Sequence, residues 1–170
     1  MSIFKPSLMM RGITDITPET VRRIGVEALL LDVDNTLVSY AEYEPVTGAV
    51  EWAARMQEAG LQLIVVSNNQ KKRVAPFAQK FNLPYITFAM KPFPFGYLKA
   101  SRRLSVPHAK CAIIGDQIFT DVVGANLCGM QSILLEPIEP EKSRLVQWRR
   151  YFEKKFRRRY KTGNHTETRR

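Results

Sequence analysis

LLLDVDNTLV, residues 29–38, opens as a continuous apolar run and ends in two carboxylates, Asp32 and Asp34. Such a run suits a strand buried on both faces of a parallel sheet. On an extended chain, carboxylates two positions apart point to one face, where unpaired anions repel. The pair therefore needs a positive group between its members, or a proton on one of them. An enzyme that transfers a phosphoryl group to an aspartate wants both conditions. The same residues also fit a plain strand end, with Asp, Asn and Thr acting as turn formers and a helix cap.

Four further runs repeat the pattern. LQLIVV at 61–66 stops at Ser67-Asn68-Asn69, a run at 85–89 leads into Met90-Lys91-Pro92, CAII at 111–114 closes on Gly115-Asp116, and QSILL occupies 131–135. Helical patterns lie between them. Thr17, Pro18 and the exit glycine Gly25 bracket a helix over 18–24. Thr47 is expected to cap a helix to Ala59 with Val50, Ala53, Ala54 and Met56 on its apolar face, and 71–81 turns Val74, Phe77, Ala78 and Phe81 to one side. Two more helices are predicted over 95–104 and 119–127, while 39–46, containing Pro45, reads as a loop or small flap. Parallel strands need crossovers of this kind, so the fold class is α/β: a doubly wound, Rossmann-like sheet of about five parallel strands in three layers. In such sheets the ligand sits beyond the carboxyl ends of the strands, where the polar clusters fall.

Charge divides the chain. From Glu141 onward there are twelve Lys or Arg against three Asp or Glu, so this tract carries +9 of the total +10. We expect a domain over 1–140 and a basic amphipathic helix and tail over 141–170. Cys111 and Cys128, with no CxxC pair and only His108 and His165 to complement them, argue against a structural zinc site and for reduced, buried thiols in a cytosolic compartment. No apolar run reaches the roughly 18 residues of a membrane span, and the N-terminal residues have neither the h-region nor the cleavage site of a signal peptide.

Hydrolysis of a phosphomonoester needs a nucleophile, a proton for the departing alkoxide and positive groups around the phosphate oxygens. Asp32 can attack phosphorus, Asp34 can supply and later recover the proton, and Ser67, nearby backbone N–H groups and Lys91 can hold the phosphate. Two anions near a phosphate call for a divalent ion. Magnesium prefers oxygen ligands, and Asp116 can join Asp32 on it with Asp121 in support. Ser67 alone could also begin a turn, and Asp121 could cap a helix.

DVDNT at 32–36, VVSNN at 65–69, MKP at 90–92 and GDQIFTD at 115–121 resemble, in order, the four motifs of the haloacid dehalogenase superfamily of phosphatases. The resemblance spans about residues 27–136. It implies a HAD-like fold, Asp32 as nucleophile, Asp34 as general acid and base, Ser67 and Asn68 on the phosphate, Lys91 as charge stabiliser, and Mg2+ on Asp32, Asp116 and the backbone carbonyl of Asp34, with Asp121 supporting. Lys99 competes for the lysine role, but Lys91 stands directly at a strand exit.

Specificity in the superfamily usually comes from an inserted cap domain. Asp34 and Ser67 are 33 positions apart and Ser67 and Lys91 are 24 apart, leaving no room for one. An open site suits a phosphate projecting from something large. In the tail, Trp148, Phe152, Phe156 and Tyr160 share one helical face flanked by basic residues. That pattern fits a helix on an anionic membrane surface or one packed on the domain, and nucleic acid would attract the same charges. The uncapped chain resembles the small bacterial branch related to phosphatidylglycerophosphate phosphatases, which implies cleavage of a lipid headgroup monoester to phosphatidylglycerol at the cytoplasmic face of the membrane. A soluble nucleotide or sugar-phosphate phosphatase, and an RNA- or ribonucleoprotein-binding protein with weak activity, are the alternative expectations.

Overall fold

The structure, a computed structural model, describes residues 2–38 and 44–139 and, farther on, residues 151, 153, 154, 156–158 and 160. Much of the expected flap, and Trp148 and Phe152 of the aromatic face, lie outside the described residues.

The chain runs β1 (Leu8–Met10), α1 (Pro18–Arg23), β2 (Ala28–Leu31), α2 (Ala49–Glu58), β3 (Gln62–Val66), α3 (Lys71–Lys80), β4 (Tyr85–Ile86), α4 (Pro94–Leu104), β5 (Cys111–Gly115), α5 (Val123–Leu127) and β6 (Gln131–Leu135). All six strands are parallel, in the order β1-β6-β5-β2-β3-β4. From β2 the chain winds outward through β3 to β4, then crosses back to β5 on the other side of β2. Strand order therefore reverses between β2 and β5, the place where such sheets bind ligands.

Alternation along the buried strands assigns the two faces. Leu29, Leu31, Leu63 and Val65 pack with Val21, Trp52, Met56, Val74 and Phe77 of α1, α2 and α3. Leu30, Ile64, Val66 and Ile113 face the other way, onto Tyr97, Ala100 and Leu104 of α4 and Ala125 of α5. Both faces are covered, which explains why these strands are unbrokenly apolar. Two buried aromatics carry polar ends that are satisfied: Trp52 Nε1 donates to the carbonyl of Ile16 at 2.8 Å, and Tyr97 Oη donates to that of Thr120 at 2.7 Å.

Several local expectations change. A sixth strand, β1, pairs with β6 at the sheet edge; three half-buried residues are too few to display a period. The expected cap of α2 is Gly48, in the left-handed region at φ 80°, rather than Thr47. The buried face of α2 is Ala49, Trp52, Ala53 and Met56, leaving Val50 and Ala54 exposed. β4 is two residues long rather than five, because Phe88 (φ 49°) and Met90 (φ 54°) take left-handed conformations that no strand continues. The helix expected over 119–127 starts as a π-turn, Ile118–Val122, before α5.

Both cysteines are free and buried, and burial pushes each thiol up to about 11. Among the described residues, no helix is long and apolar enough to cross a membrane.

Candidate active site

The carboxyl ends of β2 and β5 and the loop after β4 converge. Asp32 follows the last residue of β2, and its backbone N–H donates to the carbonyl of Ile114 in β5 at 2.9 Å, holding it against the neighbouring strand. Asp116 follows β5 directly and is fully buried. The π-turn carries Asp121 back over the end of β5. A Cβ on Gly115 would lie 2.2 Å from Asp121 Oδ2, so only glycine at 115 admits that carboxylate. Asp121 Oδ2 also accepts the N–H of Gln117 at 3.1 Å.

Ligand oxygens of Asp32, Asp116 and Asp121 lie within 4.8 Å of one another, all three residues buried. An all-oxygen set of this charge fits a hard divalent cation such as magnesium. Asp121 enters this cluster with its side chain, whereas the expected contribution of Asp34 was a backbone carbonyl and its carboxylate is elsewhere. Lys91 reaches into the cluster from the loop after β4. Its Nζ lies 2.7 Å from Asp32 Oδ1 and 2.7 Å from Asp121 Oδ1. Burial alone would lower the pKa of Lys91, but Asp121 and Asp32 outweigh it and hold the ammonium protonated. Three buried carboxylates still outnumber one ammonium. Burial pushes Asp32 up to about 8, against the pull of Lys91 and with the help of Asp121 and Asp116, so the metal-free site retains a proton there at neutral pH.

Asp32 and Asp34 thus do not share a cation. Asp34 accepts from Arg73 Nε at 2.9 Å and Nη2 at 2.6 Å on Oδ1, and from Asn69 Nδ2 on Oδ2. Arg73 lies in the first turn of α3, and Asn69 lies in the bend just before it, so both reach Asp34 from the entrance of that helix. Neither was singled out from sequence. Their signal in the sequence is an amide and a cation at the entrance of a helix that begins at a working edge, away from the apolar side that marks 71–81 as helical.

Ser67 is buried at the end of β3, and its Oγ accepts the N–H of Asn69 at 3.1 Å. Asn68 is committed elsewhere than expected: Nδ2 donates to the carbonyl of Lys91 at 3.1 Å, and Oδ1 accepts the N–H of Lys91 at 2.7 Å. Its side chain therefore pins the backbone of Lys91. Lys99, the competing lysine, is exposed on α4.

The described tail residues support the same region from behind. Tyr151, Glu153, Lys154, Phe156–Arg158 and Tyr160 are helical. Glu153, 1% exposed, accepts the N–H groups of Ile118 at 2.8 Å and Phe119 at 3.4 Å, satisfying the start of the π-turn. Arg157 donates to the carbonyls of Leu135 and Asp116. Phe156 stacks against Phe4 at 4.9 Å between ring centres and meets Phe119 edge-on at 6.4 Å. For these residues the packed arrangement holds; Arg157 is one of the basic residues expected to flank the aromatic face, and Glu153 had no sequence signal.

The comparisons agree with this geometry. Residues 9–129 match the family model of the haloacid dehalogenase-like hydrolases. The chain is 32% identical over 153 residues to a Bacillus subtilis protein described as the probable phosphatase YqeG, covering 90% of this chain and 89% of that one. Two solved structures share the fold at low identity. A Deinococcus radiodurans HAD family hydrolase crystallised with phosphate and sodium gives a TM-score of 0.56 at 16% identity, covering 71% of this chain and 85% of that one. The cobalt-bound deoxy-D-mannose-octulosonate 8-phosphate phosphatase of Haemophilus influenzae gives 0.52 at 11%, covering 66% and 69%. With a matching model over most of the chain, a relative aligned over nearly its whole length, and three buried aspartates where the strand order reverses, the chain belongs to the haloacid dehalogenase-like hydrolases.

Proposed function

We propose that this enzyme is a magnesium-dependent phosphomonoester hydrolase that works through an aspartyl phosphate on Asp32. The observation that carries this reading is the ammonium of Lys91 held between Asp32 and Asp121, beside Asp116, at the open end of the sheet. Asp32 attacks phosphorus as the ester P–O bond breaks, and Asp34 gives its proton to the departing oxygen. Water then attacks the acylphosphate, Asp34 takes a proton from it, and inorganic phosphate leaves. Lys91 and the Ser67 hydroxyl hold the equatorial oxygens. Asp121 keeps Lys91 in place, and Asn68 fixes the lysine's backbone. Magnesium, when held by Asp32 and Asp116, supplies the positive charge that favours ionised Asp32 and offsets the phosphate.

Arg73 and Asn69 position Asp34. Arg73→Met removes a forked, charge-assisted contact of about 1.5–3 kcal/mol, so kcat should fall roughly 10- to 100-fold with the fold intact. Steady-state kinetics beside a melting curve check this; an unchanged kcat would exclude the role.

The substrate we infer is a lipid headgroup monoester, phosphatidylglycerophosphate yielding phosphatidylglycerol. One observation supports it. Only ten residues separate Val38 from α2, too few for a cap, so the site is open to a large substrate. The Bacillus subtilis relative, described as a probable phosphatase, supports the phosphatase chemistry and names no substrate. The test is a phosphate-release screen with magnesium or EDTA, setting phosphatidylglycerophosphate in mixed micelles against nucleotides and sugar phosphates. The lipid ester should give the highest kcat/KM, and EDTA should abolish release. A much higher kcat/KM on a soluble ester would replace the lipid reading while leaving the phosphatase intact.

A further inference from the structure

Residues 1–140 are close to neutral in sum, yet the charge is segregated. Between Glu58 and Asp116 there is no Asp or Glu at all, while residues 59–115 contain nine Lys or Arg. The acid-free stretch supplies β3, α3, β4, α4 and β5; the strand order places β3 and β4 together at one end of the sheet, with the buried β5 across β2 from them. The two helices of this stretch, α3 and α4, therefore carry Lys and Arg with no Asp or Glu of their own; Lys80 and Arg73 are met by Glu44 and Asp34 from elsewhere in the chain.

At the carboxyl side of that end, next to the site, the surface is apolar. Phe88, Met90, Phe93 and Phe95 are 62%, 54%, 61% and 68% exposed, four of the nine large apolar side chains exposed among the described residues. All four come from one eight-residue stretch around Lys91. The backbone forces this arrangement. Left-handed φ values of 49° at Phe88 and 54° at Met90 accompany their outward exposure, while Ala89 between them is 2% exposed and Lys91 enters the site. A bulky residue at positive φ is unfavourable, and a folded chain keeps two such residues only where the surroundings enforce them. The N–H of Phe88 is held by the carbonyl of Asn69 at 3.2 Å, which brings the loop beside Lys71 and Lys72, both exposed and without a carboxylate partner among the described residues.

We propose that the loop bearing Phe88, Met90, Phe93 and Phe95, with Lys71 and Lys72 at the start of α3, is a docking surface for an anionic lipid bilayer. Phenylalanine and methionine side chains have no polar end to keep in water and gain most by entering the acyl boundary. The lysines meet lipid phosphates above them, and the basic helices α3 and α4 turn this face toward a negatively charged plane. Docking in this way sets the mouth of the site, at Lys91, against the headgroup layer. The proposal deepens the lipid-monoester reading and rests on it, since a lipid substrate is what brings this face to a bilayer.

The test is flotation of the full chain with vesicles of phosphatidylcholine alone and of phosphatidylcholine mixed equally with phosphatidylglycerol. The parent should float only with the anionic vesicles. Phe93→Ser with Phe95→Ser, and separately Lys71→Glu with Lys72→Glu, should each weaken vesicle partitioning by at least about tenfold, while hydrolysis of p-nitrophenyl phosphate stays at the parental rate. Vesicle binding unchanged in both pairs would overturn the proposal. So would a parent that ignores anionic vesicles and cosediments with RNA. If the pairs detach from vesicles but the parent hydrolyses no lipid monoester, the docking surface stands and the lipid-substrate reading falls. If lipid hydrolysis is robust and both pairs remain bound, the converse holds.

Discussion

Asp32→Asn should abolish turnover, with kcat on any accepted phosphomonoester reduced by about 10⁴-fold or more, because the amide offers no anionic oxygen to phosphorus. The fold should not suffer. Asn presents an oxygen to Lys91 at the same place, and the metal-free parent already holds a proton on Asp32, whose pKa burial has raised to about 8 from 3.8. The direction of the pH dependence follows from that shift. Below about 4 both the folded and unfolded states keep the proton; from there to about 8 only the folded state does. Stability of the metal-free enzyme from this group is therefore greatest at low pH, declines as pH rises across that window and is flat above it. Urea melts from pH 5 to pH 9 in EDTA should show the decline in the parent and a shallower one in Asp32→Asn. Parental turnover in the variant would remove Asp32 from the mechanism.

Lys91→Met should be strongly destabilising. The ammonium is 2.7 Å from two carboxylates and its side chain is only 3% exposed, so its loss strips Asp32 and Asp121 of the cation they share beside Asp116. Breaking a buried ion pair from one side costs about 3–5 kcal/mol, most of it the burden of the uncompensated charge. The remedy identifies the cause. Lower pH, which protonates a carboxylate, and added magnesium, which neutralises the cluster, should each recover part of the loss. Chemical denaturation with and without magnesium provides the measurement. A variant as stable as the parent at neutral pH in EDTA would show that the cluster does not depend on this lysine.

Much of the fold was legible because buried parallel strands are short apolar runs with polar exits. Residues 29–38, 61–69 and 111–116 announce both a strand and its working end. The pieces that were not legible depend on neighbours distant in the chain. β1 exists only because β6 offers it an edge. β4 is cut short by the conformations of Phe88 and Met90, which no propensity anticipates. The family resemblance puts Asn68 on the phosphate, and its side-chain amide meets the backbone of a residue 23 positions away.

By itself the sequence determined the α/β class, the parallel sheet and which aspartates and lysine stand at strand ends, because period, strand length and chemical type are local properties of the chain. The tertiary structure decided how their charges pair. LLLDVDNTLV poses the problem of two crowded carboxylates, and the answer comes from separate elements: Lys91 from the loop after β4 for Asp32, and Arg73 from α3 for Asp34. It also placed β3 and β4, from the acid-free third of the chain, together at one end of the sheet and seated Glu153 and Arg157 behind the site. Electrostatic energy depends on distance in space, and only the packed sheet brings residues 32, 91, 116 and 121 within reach of one another.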